Sequence, residues 1–240
     1  MLVTGGARGI GEAISRAASA AGYTVVVNYS SSEARATALA AELGHESFAV
    51  RADVGDEQAV VAMFAEVDRR VGRLDALVNN AGTAGGYGTL EVVNAAMLAH
   101  LFAVNVGGAF VCCREAANRM RTDRAGAGGA IINISSKAAV LGGSGEWVHY
   151  AASKGALDTM TVGLAKELAP FGIRVNGVRP GLIESDFHLH APPGRVERMA
   201  PTIPMARSAT PDEVAPAVLW LASAAASYVT GAFIDVAGGR

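Results

Sequence analysis

Short runs of β-branched and other apolar residues alternate along this chain with longer, alanine-rich amphipathic stretches. The apolar runs lack the in–out alternation of a half-exposed strand, which is typical of parallel strands that are buried on both faces. Alternation of strand and helix favours right-handed crossovers between neighbouring strands. We therefore predict an α/β fold with one domain over residues 1–240, in which a doubly wound parallel sheet of about seven strands carries helices on both faces.

The same pattern places the elements along the chain. Strands are predicted at residues 25–29, 47–52, 76–78, 130–135, 174–178 and 233–236, and helices at residues 9–21, 32–43, 57–71, 94–120, 148–168 and 211–223. Only Met1, Leu2 and Val3 precede the first glycine-rich turn, a short first strand that fits a trimmed start as well as a complete one. In Rossmann-type sheets ligands bind beyond the carboxyl ends of the strands, so functional residues are expected just after each strand.

Composition narrows the classes of partner. Hydrophobic residues make up 51% of the chain and charged residues 18%, which favours a large core over disorder. A net charge of −2 offers no basic field, so we expect no nucleic-acid partner. Apolar stretches are expected to fall short of the ~20 residues of a spanning helix, so no membrane partner is predicted. The neighbours Cys112 and Cys113 are interpreted as small apolar helix residues, and the whole predicts a cytoplasmic protein.

The segment Thr4–Gly11 reads Thr-Gly-Gly-Ala-Arg-Gly-Ile-Gly and leads directly into a predicted helix. Glycines at positions 5, 9 and 11 allow a tight turn that brings backbone N–H groups against a pyrophosphate. The helix N-terminus adds a favourable dipole for that negative charge. The segment therefore predicts a dinucleotide site.

The residues after the second strand bear on which dinucleotide binds. Sites for NAD usually place an acidic residue there, on the ribose hydroxyls. Here the chain reads Asn28, Tyr29, Ser30, with no acid before Glu33, and Arg8 is available to a 2′-phosphate. One charge-assisted hydrogen bond contributes ~1.5–3 kcal/mol, or roughly a tenfold to hundredfold preference. NADP(H) is thus favoured, and NAD(H) stays the alternative.

Tyr150 and Lys154 share one face of a predicted helix because they are four residues apart. A lysine ammonium about 4 Å from the phenol, at an effective dielectric near 20, would favour the phenolate by ~4 kcal/mol. That is a predicted lowering of the Tyr150 pKa by up to ~3 units. Ser135 and Ser136 end the strand before this helix, where a hydroxyl could hold a substrate oxygen.

Together these motifs resemble the short-chain dehydrogenase/reductase family over essentially the whole chain, and in particular its bacterial 3-oxoacyl-carrier-protein-reductase-like and glucose-dehydrogenase-like members. The resemblance implies Tyr150 as acid/base, with Lys154, an oxygen-positioning Ser136, and Asn105 holding a proton-relay water. Ser135 remains an alternative, because the gap from Ser136 to Tyr150 is one residue longer than the commonest spacing. The cofactor-binding residues that the motifs and the resemblance indicate are Gly5, Arg8, Gly9, Ile10, Gly11, Asn28, Tyr29, Ser30, Asp53, Val54, Asn80, Ala81, Gly82, Tyr150, Lys154, Pro180, Gly181 and Ile183.

The implied function is an NADP(H)-dependent oxidoreductase that interconverts a small-molecule ketone or aldehyde and its alcohol by hydride transfer. The alternatives are an NAD-dependent sugar or alcohol dehydrogenase and, more distantly, a non-catalytic dinucleotide-binding sensor. Family resemblance implies a homotetramer. Residues 184–205 are expected to form a substrate lid. His188 and His190 near Asp186 are not predicted to bind metal, because a fixed ligand set is hard to build on a loop.

Overall fold

The structure, a computed structural model, describes residues 1–240 apart from the side chain of His190. The strands are β1 (Leu2–Val3), β2 (Val26–Tyr29), β3 (Phe48–Arg51), β4 (Ala76–Asn79), β5 (Gly129–Ile134), β6 (Ile173–Pro180) and β7 (Phe233–Val236). The α-helices are α1 (Gly9–Ala20), α2 (Glu33–Leu43), α3 (Glu57–Val71), α4 (Ala95–Phe102), α5 (Gly108–Met120), α6 (Ala138–Leu141), α7 (Val148–Leu168), α8 (Arg195–Met199) and α9 (Ala215–Ala222).

All seven strands pair in parallel in the order β3-β2-β1-β4-β5-β6-β7, which confirms the predicted doubly wound sheet. The two-residue strand β1 lies inside the sheet, third from one edge, where Val3 pairs with Val27 on one side and Val78 on the other. The strands that follow β1 in the chain, β2 and β3, lie on one side of it, and β4 to β7 lie on the other side, so the order of strands reverses at β1. The carboxyl ends of β1 and β4 therefore flank the point at which a ligand crevice is expected.

The core lies in two layers, one on each face of the sheet. Val3, Val27 and Val78 face the layer that holds Ile14 of α1, and their neighbours Leu2, Val26 and Leu77 face the layer that holds Phe64 of α3. Because side chains alternate between the faces of a strand, each parallel strand needs apolar residues at successive positions. This is why the sequence shows continuous apolar runs.

The predicted helix over residues 94–120 is wrong in one respect. A π-helical turn, Ala103–Gly107, separates α4 from α5, and it contains the buried Asn105. Just beyond it, a Cβ on Gly108 would lie 2.5 Å from the Val54 carbonyl oxygen, so this helix contacts the β3–α3 loop through bare backbone. Single π turns inside helices are frequent at functional sites.

The expectation that no apolar stretch reaches spanning length is also wrong. The continuous helical stretch Ala95–Met120 has 26 residues, and an 18-residue window within it has a mean hydropathy of 1.8, enough to cross a membrane by length and composition. A core helix meets the same criteria, and this one packs against α3 and β4. Its cysteines, Cys112 and Cys113, are buried thiols, in agreement with their interpretation as small core residues.

The segment between β6 and α9 forms a loop whose ends are held together. The Glu184 N–H donates to the Ala209 carbonyl (2.9 Å), and the Ala209 N–H donates to Leu182 (3.0 Å). Residues 185–205 thus leave and rejoin the body at neighbouring points, as compact surface loops do. We call residues 185–205 the substrate loop, after the substrate lid that the sequence predicts over residues 184–205.

Candidate active site

A cleft of about 670 Å³ opens at the carboxyl ends of the strands. Its walls come from the segments that follow β1 to β6 and from the substrate loop, which is where the doubly wound fold predicted them. Two predicted site residues, Gly11 and Asn105, lie behind the wall. The others line the cleft: Gly5, Arg8, Gly9, Ile10, Asn28, Tyr29, Ser30, Asp53, Val54, Asn80, Ala81, Gly82, Ser136, Tyr150, Lys154, Pro180, Gly181 and Ile183.

The glycine-rich turn forms a cradle at the start of α1. Gly5 and Gly9 have φ values of 58° and 51°, a left-handed conformation that favours glycine. A Cβ on Gly11 would lie 2.3 Å from the Gly5 carbonyl oxygen and 2.6 Å from Asn80 Nδ2. The turn is therefore folded closely against the first turn of a 12-residue helix, a geometry that suits a pyrophosphate.

Two asparagines that are predicted to bind the cofactor also hold this turn in place. Asn28 Oδ1 accepts the Gly5 N–H (3.1 Å), and its Nδ2 donates to the Ala52 carbonyl (3.0 Å). Asn80 Nδ2 donates to the carbonyls of Thr4 (2.9 Å) and Gly5 (3.1 Å). Both residues border the cleft, and these amide groups bond the backbone of its wall. The sequence identified both asparagines as site residues, but it did not predict that they position the turn.

The far end of the cleft, beyond β2 and β3, is assembled from a mixture of buried and exposed groups. Tyr29 and Val54 are buried in the wall, and Arg8 and Ser30 are exposed beside the opening. Asp53 Oδ1 accepts the Gly55 N–H (2.9 Å), which fixes its loop. Hydroxyls and a guanidinium therefore follow β1 and β2 at this end, and the cleft-lining carboxylate after β3, on Asp53, is bonded to its own loop.

Lys154 is buried on α7, one turn after Tyr150. Its Nζ donates to the Ile134 carbonyl at the end of β5 (2.7 Å) and lies 5.8 Å from the centre of the Tyr150 ring. Burial lowers the pKa of the Lys154 ammonium to about 8, and Asp158 opposes that shift. A Cβ on Gly82 would lie 3.6 Å from the same Nζ, so the loop after β4 and the end of β5 both border this cation.

The pKa of Tyr150 departs from the sequence prediction. Burial raises it to about 12, and a hydrogen bond with the Ser136 hydroxyl opposes the rise. The predicted lowering by Lys154 is therefore wrong for this structure. The reason is geometric, because the Lys154 ammonium is directed at a backbone carbonyl and desolvation dominates at the phenol.

The two candidate serines point in different directions. Ser135 is buried, and its hydroxyl donates to the Lys154 carbonyl (3.3 Å), so it ties β5 to α7. Ser136 is half-buried, accepts the Ala138 N–H (3.1 Å) and contacts the Tyr150 hydroxyl. The structure thus brings Ser136, and not Ser135, to the phenol.

Asn105 occupies the π-helical turn behind Lys154. Its Nδ2 donates to the Thr83 carbonyl and to Ser153 Oγ (both 2.9 Å), and its Oδ1 accepts the Thr83 N–H (2.8 Å). The amide therefore joins the loop after β4 to α7. The expected water-holding role of Asn105 stays a prediction.

The segment after β6 forms a further part of the cleft wall. A Cβ on Gly181 would lie 2.8 Å from Ala237 Cα, so only glycine fits beside the chain after β7. Ile183 is buried in this segment. A Cβ on Gly9 would lie 3.5 Å from Ser185 Cβ, so the start of the substrate loop lies against the glycine cradle.

Sequence reasoning missed a charged cluster between the substrate loop and the segment before α7. Arg195 forms two hydrogen bonds with Glu146, from Nε to Oε1 (2.9 Å) and from Nη2 to Oε2 (2.5 Å). Its Nη1 contacts His188 Nδ1 (3.1 Å), and its guanidinium lies 4.5 Å from the centre of the Trp147 ring. The other nitrogen of His188 contacts the Ile183 carbonyl (2.9 Å), and both ring nitrogens are thereby engaged. The side chain of His190 lies outside the described part of the chain.

Comparison with known proteins gives a consistent result. The family model described as enoyl-(acyl carrier protein) reductase matches residues 5–240. An oxidoreductase of Escherichia coli, YgfF, is 49% identical over 243 residues, with 100% of this chain and 98% of that protein covered. The 3-oxoacyl-(acyl-carrier-protein) reductase FabG of Staphylococcus aureus is 39% identical (99% and 96% covered). L-rhamnose 1-dehydrogenase (NAD(P)(+)) of Azotobacter vinelandii is 37% identical (100% and 95% covered).

Two solved structures share this fold, and both are complexes with a nicotinamide dinucleotide. A short-chain dehydrogenase of Burkholderia cenocepacia in complex with NADP superimposes with a TM-score of 0.92 at 32% identity, covering 99% of this chain and 96% of its own. A 3-ketoacyl-(acyl-carrier-protein) reductase of Brucella melitensis complexed with NADH gives a TM-score of 0.93 at 32% identity (100% and 96% covered).

Proposed function

Because the chain belongs to the short-chain dehydrogenase/reductase family and is an NAD(P)-dependent oxidoreductase acting on carbonyls or alcohols, we propose that Tyr150 is its acid/base and that NADP(H) is its preferred cofactor. The observation that carries the first part is the convergence of Tyr150, Ser136 and Lys154 at one end of the cleft. The glycine cradle at the other end fits the cofactor, because its bare backbone has no room for a side chain at Gly11.

In this mechanism the dinucleotide, when bound, supplies or accepts the hydride. Tyr150 gives its proton to the substrate oxygen in reduction and removes it in oxidation. Ser136 donates a hydrogen bond to the same oxygen as negative charge develops on it. Lys154 places a buried cation near the phenol and beside Gly82, where a nicotinamide ribose would lie. Asn105 fixes the loop after β4 and, as in the family resemblance, would order a water behind Lys154.

The two neighbouring serines provide a matched test of this site. Ser136→Ala is expected to lower kcat about 10²-fold, because it removes a donor to the developing oxyanion. Ser135→Ala deletes the same atom one residue away, and its hydroxyl only bonds the Lys154 carbonyl, so kcat should fall by less than about threefold. Steady-state kinetics with NADPH and a reducible ketone measure both. Equal losses in the two variants would contradict the assignment of Ser136.

The preference for NADP(H) rests on the charges around the far end of the cleft. Arg8 and the hydroxyls of Ser30, Ser31 and Ser32 line that end, and α2 begins only at Glu33. A 2′-phosphate would gain charge-assisted hydrogen bonds there, and no acidic side chain follows β2 directly to repel it. These contacts support NADP(H), and NAD(H) remains the second candidate.

Arg8→Ala tests the preference directly. The variant is expected to weaken NADPH binding roughly tenfold to hundredfold while NADH binding changes by less than about twofold, because only NADPH carries the extra phosphate. Arg73→Ala is the control, since Arg73 pairs with Asp75 in the loop before β4 and does not line the cleft. Fluorescence titration with both nucleotides measures this. A wild-type protein that binds NADH more tightly would overturn the preference and favour sugar or alcohol oxidation.

We also propose a homotetramer, a cytoplasmic location and a lid role for residues 184–205. Exposed apolar side chains on the two long helical segments, Phe102, Phe110 and Val162, support pairing with further copies of the chain. The substrate loop borders both ends of the cleft, which suits closure over a bound substrate. A monomer in light scattering, or the protein in a membrane fraction, would contradict the first two proposals.

A further inference from the structure

The wall of the cleft beside Tyr150 is aromatic. Phe187, from the substrate loop, lies 5.3 Å from the Tyr150 ring and 5.3 Å from the Trp147 ring, measured between centroids. Tyr87 packs edge-on against Trp147 at 5.2 Å. A substrate whose oxygen reaches the Tyr150 hydroxyl therefore has its carbon substituents beside Phe187, with Trp147 behind it.

Two cations on the same side of the cleft are already paired with carboxylates of the protein. Arg195 is buried against Glu146, with only 9% and 26% of their side chains exposed, in a two-bond geometry that satisfies both charges. Lys137, next to Ser136, pairs with Asp235 at 2.5 Å. A carboxylate or phosphate on the substrate would have to compete with these protein carboxylates for its counter-charge.

From these two features we infer that the Glu146–Arg195 pair makes the substrate end of the cleft selective for uncharged carbonyl compounds or alcohols that carry a flat apolar group, packed against Phe187. This inference rests on the proposed function and deepens it. Glu146 acts as a specificity residue through its partner, because it withholds the Arg195 cation from an anionic substrate. The same pair joins the substrate loop to the segment before α7, whereas Phe187 is packed independently between Tyr150 and Trp147.

The test measures ligand binding to the protein saturated with NADP⁺, so that no turnover occurs. Calorimetry compares acetophenone with 4-acetylbenzoate, which adds only a carboxylate. We expect wild-type protein to bind acetophenone at least about tenfold more tightly. Glu146→Gln leaves the Arg195 cation unpaired and should raise the affinity for 4-acetylbenzoate about tenfold to hundredfold. The affinity for acetophenone should change by less than about threefold. Glu197→Gln is the matched control, an exposed glutamate in α8 whose loss should change neither affinity.

Two further variants keep the test decisive if Glu146→Gln destabilises the loop. Arg195→Met leaves the Glu146 carboxylate without its partner and should weaken the binding of 4-acetylbenzoate about tenfold relative to wild type. The double variant, Glu146→Gln with Arg195→Met, removes both charges and should restore the wild-type order of the two affinities. Wild-type preference for 4-acetylbenzoate, or selectivity that is unchanged in these variants, would overturn the inference and point to Arg240, which also lines the cleft. Failure of the protein to bind either NADP⁺ or NAD⁺ would instead reject the proposed function.

The apolar half of the inference has its own control on the same loop. Phe187→Ala removes the ring beside Tyr150 and should weaken acetophenone about tenfold or more, because an aromatic contact and its buried area are lost. Leu189 is 78% exposed two residues away, so Leu189→Ala should leave the affinity within about twofold. Equal effects of the two substitutions would show that Phe187 does not contact the ligand, which would overturn this half.

Discussion

Replacing Tyr150 by phenylalanine is expected to lower kcat by about 10³-fold or more, while NADPH binds with an affinity within about twofold of wild type. The substitution removes one hydroxyl, the group that exchanges a proton with the substrate oxygen. The ring remains to pack against Phe187, and Lys154 keeps its hydrogen bond to the Ile134 carbonyl. Chemistry should therefore fail with the fold and the cofactor site intact.

Tyr87→Phe is the matched control for that experiment. It deletes the same hydroxyl from a ring that packs on Trp147 in the same wall, so a general loss of polarity would affect both variants. Steady-state kinetics and a fluorescence titration of NADPH separate the two effects. Tyr150→Phe with normal turnover would remove Tyr150 from the mechanism and reopen a dinucleotide-binding sensor without catalysis.

The parts of the site that the sequence predicted are those fixed by local geometry. Tyr150 and Lys154 lie on one face of α7 because a helix brings positions four apart together. The cleft lies where a doubly wound sheet requires it, at the carboxyl ends of the strands, so the residues after each strand could be named before the structure. The helical repeat and the order of strands along the chain are sufficient to predict such features.

The parts that sequence could not predict depend on contacts between distant segments. Glu146 and Arg195 are 49 positions apart, and only the path of the substrate loop brings them together. The direction of the Tyr150 pKa shift depends on where the Lys154 ammonium points, which an i, i+4 spacing does not specify. The amides of Asn28 and Asn80 likewise hold the glycine-rich turn through backbone groups of distant segments, which their own positions in the sequence do not specify.

Gly11→Ala is expected to weaken NADPH binding by about 10³-fold, although Gly11 does not line the cleft. Its Cβ would lie 2.3 Å from the Gly5 carbonyl oxygen, a backbone atom that cannot rotate away. Overpacking typically costs about 1–3 kcal/mol, and the displaced turn would lose the bonds from Gly5 to Asn28 and from Asn80 to Gly5, about 1 kcal/mol each. The sum, about 4 kcal/mol, corresponds to roughly a thousandfold in affinity if the cradle is displaced from its binding geometry.

Gly163→Ala in α7 is the matched control for Gly11→Ala, since nothing lies within 4 Å of its added Cβ, and it should leave the NADPH affinity unchanged. Fluorescence titration measures both, with circular dichroism reporting the fold. A folded Gly11→Ala protein with wild-type affinity would show that the close contact of this turn with α1 is not what forms the pyrophosphate site.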